Sequence, residues 1–278
     1  TDTARAQGLR FVVPAVMWNQ GENDVYTAKR GQYAKMMIQH QRNLAADIMA
    51  ITGQLFEPIL FITQTNRVRS VLGLRQNLQN DQLDLENHPK IRVTGPMYWS
   101  PMDSGKVHKS SVGQNRLGQM EARAFLAEMF GTGWTPLKPL DVYFSTPTRI
   151  IIECAVPKPP LVLDTTGDVS IAGMASYRGF DIFDPSGSPL TITNVSVGSN
   201  DVMHFVAVDL STAPSVPWVH TGYAMRRDNT DDDNTADGPI TGARGCIRDS
   251  EADVSLYDAH VQSNWMVQWF RRIPTYGV

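Results

Sequence analysis

Two polar segments carry the side chains that could do chemistry, and each directly follows an apolar run. In residues 18–24 (WNQGEND), Gln20 could donate its amide to an oxyanion and Glu22 adds a carboxylate beside it. Residues 97–108 (MYWSPMDSGKVH) end in His108, whose imidazole could serve as a general base. An ordinary polar turn and a structural histidine are the alternative interpretations of these two segments.

Apolar runs alternate with helical patterns through the first half of the chain, which predicts a parallel sheet with helical crossovers. Strands are predicted at residues 11–18, 59–63 and 91–99. Because the carboxyl ends of parallel strands meet at one edge of the sheet, the two polar segments should lie close together. Pro14 cannot donate to a strand ladder, so its position should face an unpaired side or a bulge.

Two helices are predicted in this first half. The earlier one ends at Gly53, and its apolar stripe consists of Tyr33, Met37, Leu44, Ile48 and Ile51. The later one spans residues 111–130, with Ser110 or Ser111 as its N-cap.

From Gly131 onward helical periodicity disappears. Short β-rich runs follow at residues 149–156, 190–197 and 202–208, separated by turn signals. This predicts two domains, an α/β domain over residues 1–132 and an all-β sandwich over residues 133–278.

Composition argues against two classes of partner. The net charge of -3 and pI near 6.0 give no case for nucleic acid, and the arginines of residues 67–75 are interpreted as a solvated face. No apolar run reaches the roughly 18 residues needed to span a bilayer.

Cys154 and Cys246 are interpreted as buried thiols rather than a bridge. The acidic residues 228–237 suit a surface loop better than a calcium loop.

The first polar segment resembles the W-x-Q-G-E block of sialate O-acetylesterases and related acetylxylan esterases, which are SGNH hydrolases. Residues 102–118 (MDSGKVHKSSVGQNRLG) resemble the final Asp-x-x-His block of that family. The likeness covers about the first 130 residues. It implies a flavodoxin-like three-layer α/β domain and a Ser-His-acid ester hydrolase that needs no metal or organic cofactor.

The resemblance implies a role for each polar side chain. His108 would be the base and Gln20 the oxyanion donor. The family's acid lies three residues before the histidine, where this sequence has Gly105, so Asp103 or Glu22 would orient the imidazole. Substrate contacts would come from a further set of residues in the same block: Trp18, Gly21 and Asn23. Trp18 would wall the pocket or simply pack beneath it.

The family's nucleophilic serine lies in a Gly-x-Ser block well upstream of W-x-Q-G-E. Only 17 residues precede Trp18 here, and none forms such a block. Ser104, Ser110 and Ser111 share the histidine loop and are interpreted as loop and cap residues. The expectation is therefore that a separate segment or chain supplies the nucleophile and covers the exposed edge of the strand at residues 11–18.

The second half carries a weaker likeness. Residues 179–181 (GFD) and 245–250 (GCIRDS), with Asn264 and Trp265, resemble a β-domain that accompanies SGNH esterases in phage and bacterial surface-active proteins. Generic sandwich strands are the alternative.

Together these features imply an extracellular or virion-associated esterase acting on an acetylated polysaccharide. A non-catalytic virion or carbohydrate-binding protein is the second hypothesis. A lipase-type esterase is the third, and it is weaker because the W-x-Q-G-E block points to sugar esters.

Overall fold

The computed structural model describes residues 2–27, 29–67, 77–103, 108–225, 238–240 and 242–277. Three expectations therefore fall outside the described residues: the acidic stretch 228–237, the arginines beyond Arg67, and Ser104 with Gly105.

The first half contains the predicted parallel sheet. Strands β1 (Ala15–Trp18), β2 (Ile59–Gln64) and β3 (Ile91–Pro96) pair in parallel in the order β1-β2-β3. The prediction that the first strand begins at residue 11 is wrong, and β1 begins only after Pro14. The carbonyl of Pro14 accepts from the Ile59 amide at 3.0 Å, but its ring nitrogen has no proton to donate.

Four helices are described in this half, and the prediction of the long ones is largely confirmed: α1 (Asp2–Ala6), α2 (Gln32–Thr52), α3 (Asn77–Asp84) and α4 (Ser111–Phe130). Gly53 ends α2 in the left-handed conformation, with φ 74. Ser110 is the N-cap of α4, because its side chain accepts from the Gly113 amide at 3.1 Å.

The predicted apolar stripe of α2 is correct at its start and wrong at its end. Tyr33 and Met37 are buried, but the stripe then continues through Gln41 and Ala45, while Ile51 is 55% exposed. The buried residues are spaced four apart, and four residues turn slightly more than one full helical turn. The buried stripe therefore winds around α2, and by the last turn it faces a different direction from Ile51.

The helices cover both faces of the sheet. Leu60 and Ile62 of β2 pack in one buried cluster with Tyr33 and Met37 of α2. Phe61, between them on the strand, packs instead with Ala124 of α4. Alternate strand residues thus face opposite helices, as strand geometry requires.

The second half is rich in short strands, as predicted. A four-stranded antiparallel sheet has the order β4-β5-β9-β8: β4 (Lys138–Thr146), β5 (Arg149–Ala155), β9 (His204–Leu210) and β8 (Ile192–Ser199). A three-stranded antiparallel sheet has the order β14-β10-β7: β14 (Trp269–Pro274), β10 (Trp218–Tyr223) and β7 (Phe180–Phe183). Two short ladders complete the set: β6 (Val162–Leu163) with β11 (Ile247–Arg248), and β12 (Asp253–Val254) with β13 (Val261–Gln262).

The two halves are joined by buried amide side chains that act like strand partners. The Asn80 side chain donates to the Phe270 carbonyl at 2.9 Å and accepts from the Phe270 amide at 3.0 Å. Gln64 does the same with Gln268, at 2.8 and 2.6 Å. One hydrophobic cluster also extends from Leu117 of α4 into the β-rich half. The two halves thus share one hydrophobic cluster, and the domain boundary near residue 132 stays a prediction.

The two motifs of the tail meet in the structure. Asp249 is fully buried, and its carboxylate accepts from the side chain of Asn264 at 2.7 Å and from its backbone amide at 3.0 Å. Arg248 pairs with Trp265 in an isolated bridge. The motif residues of segments 245–250 and 264–265 therefore contact each other in the interior of the β-rich half.

Both cysteines are buried free thiols, as predicted, and burial raises the pKa of each to about 12. Among the described helices, none has the length and apolar character required to cross a bilayer.

Candidate functional site

The three loops that follow β1, β2 and β3 converge at the carboxyl end of the parallel sheet. The Arg67 guanidinium, after β2, donates to the carbonyl of Glu22, after β1, at 3.2 Å. The Lys109 ammonium, after β3, donates to Oδ1 of Asn66, after β2, at 3.3 Å. The segments 18–24 and 97–109 therefore lie on the same edge of the sheet, where open α/β sheets bind ligands.

Gly21 lies where the first loop passes closest to its neighbours. It is buried and has φ +141, and an added Cβ would lie 3.1–3.3 Å from atoms of Gln82, Leu78 and Thr65. A side chain at this position would be strained by both conformation and space. Gly21 therefore shapes the loop rather than offering a functional group.

The Gln20 side chain is held by hydrogen bonds on both its amide atoms. Its Nε2 donates to Oδ2 of Asp24 at 2.6 Å, and the Tyr33 hydroxyl shares its one proton between the Gln20 Oε1 at 3.3 Å and the Gln20 backbone carbonyl at 3.2 Å. Burial raises the pKa of Tyr33 to about 12, so this hydroxyl stays protonated and remains a donor. One N–H of the Gln20 amide is engaged with Asp24, which leaves only its second N–H for an oxyanion.

His108 and Asp103 lie opposite each other on a short antiparallel bridge. The Asp103 amide donates to the His108 carbonyl at 2.9 Å, next to the paired Met102 and Lys109. Within the described residues, neither the His108 ring nor Oδ1 of Asp103 has a hydrogen-bond partner, and His108 is exposed.

Lys109, directly after the candidate base, is a second cation of this edge and is half-buried. Its ammonium donates to the Met97 carbonyl at 2.8 Å and contacts Sδ of Met102 at 3.1 Å, besides the Asn66 side chain. Burial lowers the pKa of Lys109 to about 7, and the negative charge of Glu22 opposes that shift. The lysine thus ties the histidine loop to the ends of β2 and β3.

A row of polar side chains crosses the sheet just below this edge, on the face covered by α4. The hydroxyls of Thr63 and Thr94 lie 2.8 Å apart, and Thr63 donates to Glu121 of α4 at 2.9 Å. Asn19 also hydrogen-bonds to Glu121. Burial raises the pKa of Glu121, although the hydrogen bonds from Asn19 and Thr63 oppose the rise. The row links the ends of all three strands.

Trp18 and Asn23 are the remaining predicted substrate contacts. Trp18 packs on His40 of α2 with ring centroids 4.4 Å apart, which fits the alternative that it packs beneath the loop. Asn23 is exposed at the start of the short 3-10 helix Asp24–Tyr26 and makes no side-chain cap bond there.

Sequence analysis did not single out three residues that join the loops of this site: Asn66, Arg67 and Lys109. Residues 18–24 were singled out because polar groups follow a buried strand there. Asn66 and Arg67 follow β2 in the same way, so the same criterion could have identified them. The interpretation of Arg67 as solvated is wrong, because it is only 7% exposed. Nothing in the sequence indicates that Lys109 joins the loops of this site, because a lysine beside a loop histidine normally faces solvent.

Within the described residues, no three His, Cys, Asp or Glu side chains come close enough together to hold a metal ion.

Comparisons with known proteins leave the family open. No protein-family model and no curated protein matches the chain. Among solved structures, the chain is similar to the N-terminal part of the bacterial S-layer protein SbsC, with a TM-score of 0.30 and 8% identity over 88% of this chain. The match spans 39% of that structure. A likeness of this size carries no argument about fold or function.

Proposed function

We propose that this chain carries the His-bearing part of an SGNH-type esterase domain that removes O-acetyl groups from a surface polysaccharide. The observation that carries the proposal is the contact between the loops of residues 18–24 and 97–109 through Arg67, Asn66 and Lys109. These are the two segments on which the family resemblance rests, and they occupy the sheet edge where such a site would lie.

In this proposal His108 takes the proton of the nucleophile and later returns it to the leaving alcohol. Asp103 and Glu22 are both candidate acids: the Asp103 amide bonds to the His108 carbonyl, and the charge of Glu22 acts on the neighbouring Lys109. In this proposal a carboxylate–imidazole bond from one of the two acids orients the base.

The nucleophile is proposed to come from a segment that pairs with β1. This strand is at the edge of its sheet, with Met17 39% exposed and the preceding Val12 49% exposed. A parallel strand added there would bring its own carboxyl end beside residues 18–24. Exposed apolar edges of this kind are normally covered in natural proteins.

A second candidate, a non-catalytic glycan-binding or virion protein, is favoured by the hydrogen bonding of Gln20. One N–H of its amide is already bound to Asp24, so only the second N–H could be aimed at the reacting centre, as an oxyanion donor must be.

Hydrolysis of p-nitrophenyl acetate and of acetylated xylan by the whole assembly, the protein together with the segment that pairs with β1, separates the two candidates. His108→Ala should lower kcat by at least about a hundred-fold. His204→Ala, on β9 in the other half, is the matched control and should keep the rate. Equal rates for assemblies with wild type and with His108→Ala would exclude the mechanism, and an inactive assembly that still binds acetylated xylan would favour the second candidate.

A further inference from the structure

A cleft of about 590 Å³ lies on the three-stranded sheet of the β-rich half. It is lined by Pro217, Trp218, Arg272 and Pro274, and we name it the outer cleft. None of these four residues belongs to the loops of the candidate esterase site. The volume of the outer cleft is in the range of clefts that hold small ligands.

The lining side chains of β10 and β14 lie on the solvent face of the sheet. Trp218 of β10 is paired with Pro274 of β14, and Arg272 lies two residues before Pro274, so all three share one face. Val219 and Ile273 alternate with them, point to the opposite face and are buried. Arg272 and Pro274 are exposed and Trp218 is half-buried. Solvent and ligands therefore reach the groups that line the outer cleft.

The indole of Trp218 is held in position by a neighbouring imidazole. The ring of His220 packs edge to face with that of Trp218, with centroids 4.9 Å apart and an interplanar angle of 79°. His220 also packs on the buried Phe270, with centroids 5.0 Å apart. Burial lowers the pKa of His220, and the charge of Arg272 lowers it further, so His220 is neutral at neutral pH. The indole is thus positioned in advance, which reduces the entropy cost of binding.

Arg272 supplies the charge of the outer cleft. Its Cζ lies 4.0 Å from the centroid of the Trp218 ring, which is a cation–π contact. Among the described residues, no carboxylate lies within 4 Å of this guanidinium. The N–H donors of a guanidinium lie in its plane, so contact of one face with an aromatic ring leaves them available to an acceptor. The outer cleft therefore presents an exposed cation that no carboxylate of the described chain neutralises.

We propose that the outer cleft binds an acidic sugar unit of a polysaccharide, with the sugar carboxylate on the guanidinium of Arg272. A uronate combines a planar carboxylate, which matches the N–H fork of arginine, with an apolar C–H face on its ring. That face would pack against the exposed part of Trp218 and against the proline rings of the lining. Because the outer cleft lies on an exposed sheet face, the polysaccharide on either side of the bound unit stays in solvent. The inference does not depend on esterase activity.

Isothermal titration calorimetry of the full chain with three ligands tests this proposal. Trigalacturonate carries three sugar rings and three carboxylates, maltotriose has the rings without the charges, and tricarballylate has the charges without the rings. Wild type should bind trigalacturonate saturably, and each of the other two at least about ten-fold more weakly.

Variants of Arg272 locate the binding to the outer cleft. Arg272→Gln should weaken trigalacturonate binding by about ten-fold or more, and Arg272→Lys should also weaken it because the planar fork is lost. Arg149→Gln is the matched control, since it removes an equal charge from a half-exposed arginine of β5 in the same half, and it should have no effect.

Four results overturn the proposal: no saturable binding of trigalacturonate, equal affinity for maltotriose, equal affinity for tricarballylate, or wild-type affinity in Arg272→Gln. If Arg272→Gln does not fold, the comparison of the three ligands on wild type still decides.

Discussion

The ammonium of Lys109 lies 2.8 Å from the carbonyl oxygen of Met97, at the point where the histidine loop returns to the sheet. Lys109 is half-buried and its contacts within the described residues are neutral oxygens and a thioether, so the loop is held by a charge that is costly to bury. This relationship makes the stability of the candidate site depend on pH.

The stability of the wild-type protein relative to Lys109→Met should rise with pH. Folded Lys109 has a pKa of about 7, below its ordinary value of 10.5. Between these values the unfolded chain binds more protons, so stability increases by up to about 1.4 kcal/mol per pH unit. Urea unfolding of both proteins at pH 7, 8 and 9 measures this. Lys35→Met, at an exposed lysine of α2, should track wild type, and parallel curves for Lys109→Met would contradict the prediction.

Asp81→Asn should destabilise the protein by about 2 kcal/mol or more. The buried Asp81 carboxylate accepts from the backbone amides of Gly31 and Tyr33 at 2.7 and 3.0 Å and caps the start of α2. Asp84→Asn is the matched control, because Asp84 is half exposed and pairs only with Arg30. Thermal unfolding should show this loss of unfolding free energy for Asp81→Asn, and a loss of at most about 1 kcal/mol for Asp84→Asn.

Asn80→Ala should destabilise both halves of the chain together, by about 2 to 3 kcal/mol. It leaves the buried amide and carbonyl of Phe270 unpaired. Asn87→Ala removes only an exposed hydrogen bond and should be nearly neutral. Calorimetry should give one unfolding transition for wild type. Two separate transitions in wild type would show that the Asn80 contact does not couple the halves.

Gly21→Ala should destabilise more than Gly53→Ala, although both glycines have positive φ. At Gly21 the new methyl would meet three side chains at 3.1–3.3 Å, while at Gly53 nothing lies within 4 Å. We expect a loss of about 1 kcal/mol at Gly53 and about 2 to 3 kcal/mol at Gly21. Equal losses measured by urea unfolding would mean that the close approach at Gly21 is relieved by the flexible Gln82 side chain.

Capping residues and terminal glycines in the sequence were sufficient to predict where the two long helices end. The bounds of α4 agree with the prediction because Ser110 and Gly131 act on their own neighbouring backbone groups. The end of α2 at Gly53 follows for the same reason. The parallel pairing of the first three strands followed from their alternation with helices, and so did the meeting of the two polar segments at one edge.

Burial and pairing between distant segments were decided only by the tertiary structure. Lys109, Arg67 and Asn264 are polar residues that a sequence places at the surface, but Arg67 and Asn264 are buried and Lys109 is half-buried, because segments far along the chain enclose them. Their hydrogen bonds join residues separated by many positions, and periodicity along a single element carries no information about such partners. The sequence therefore determined where the helices and strands would form, while the contacts between loops decided which side chains share the candidate site.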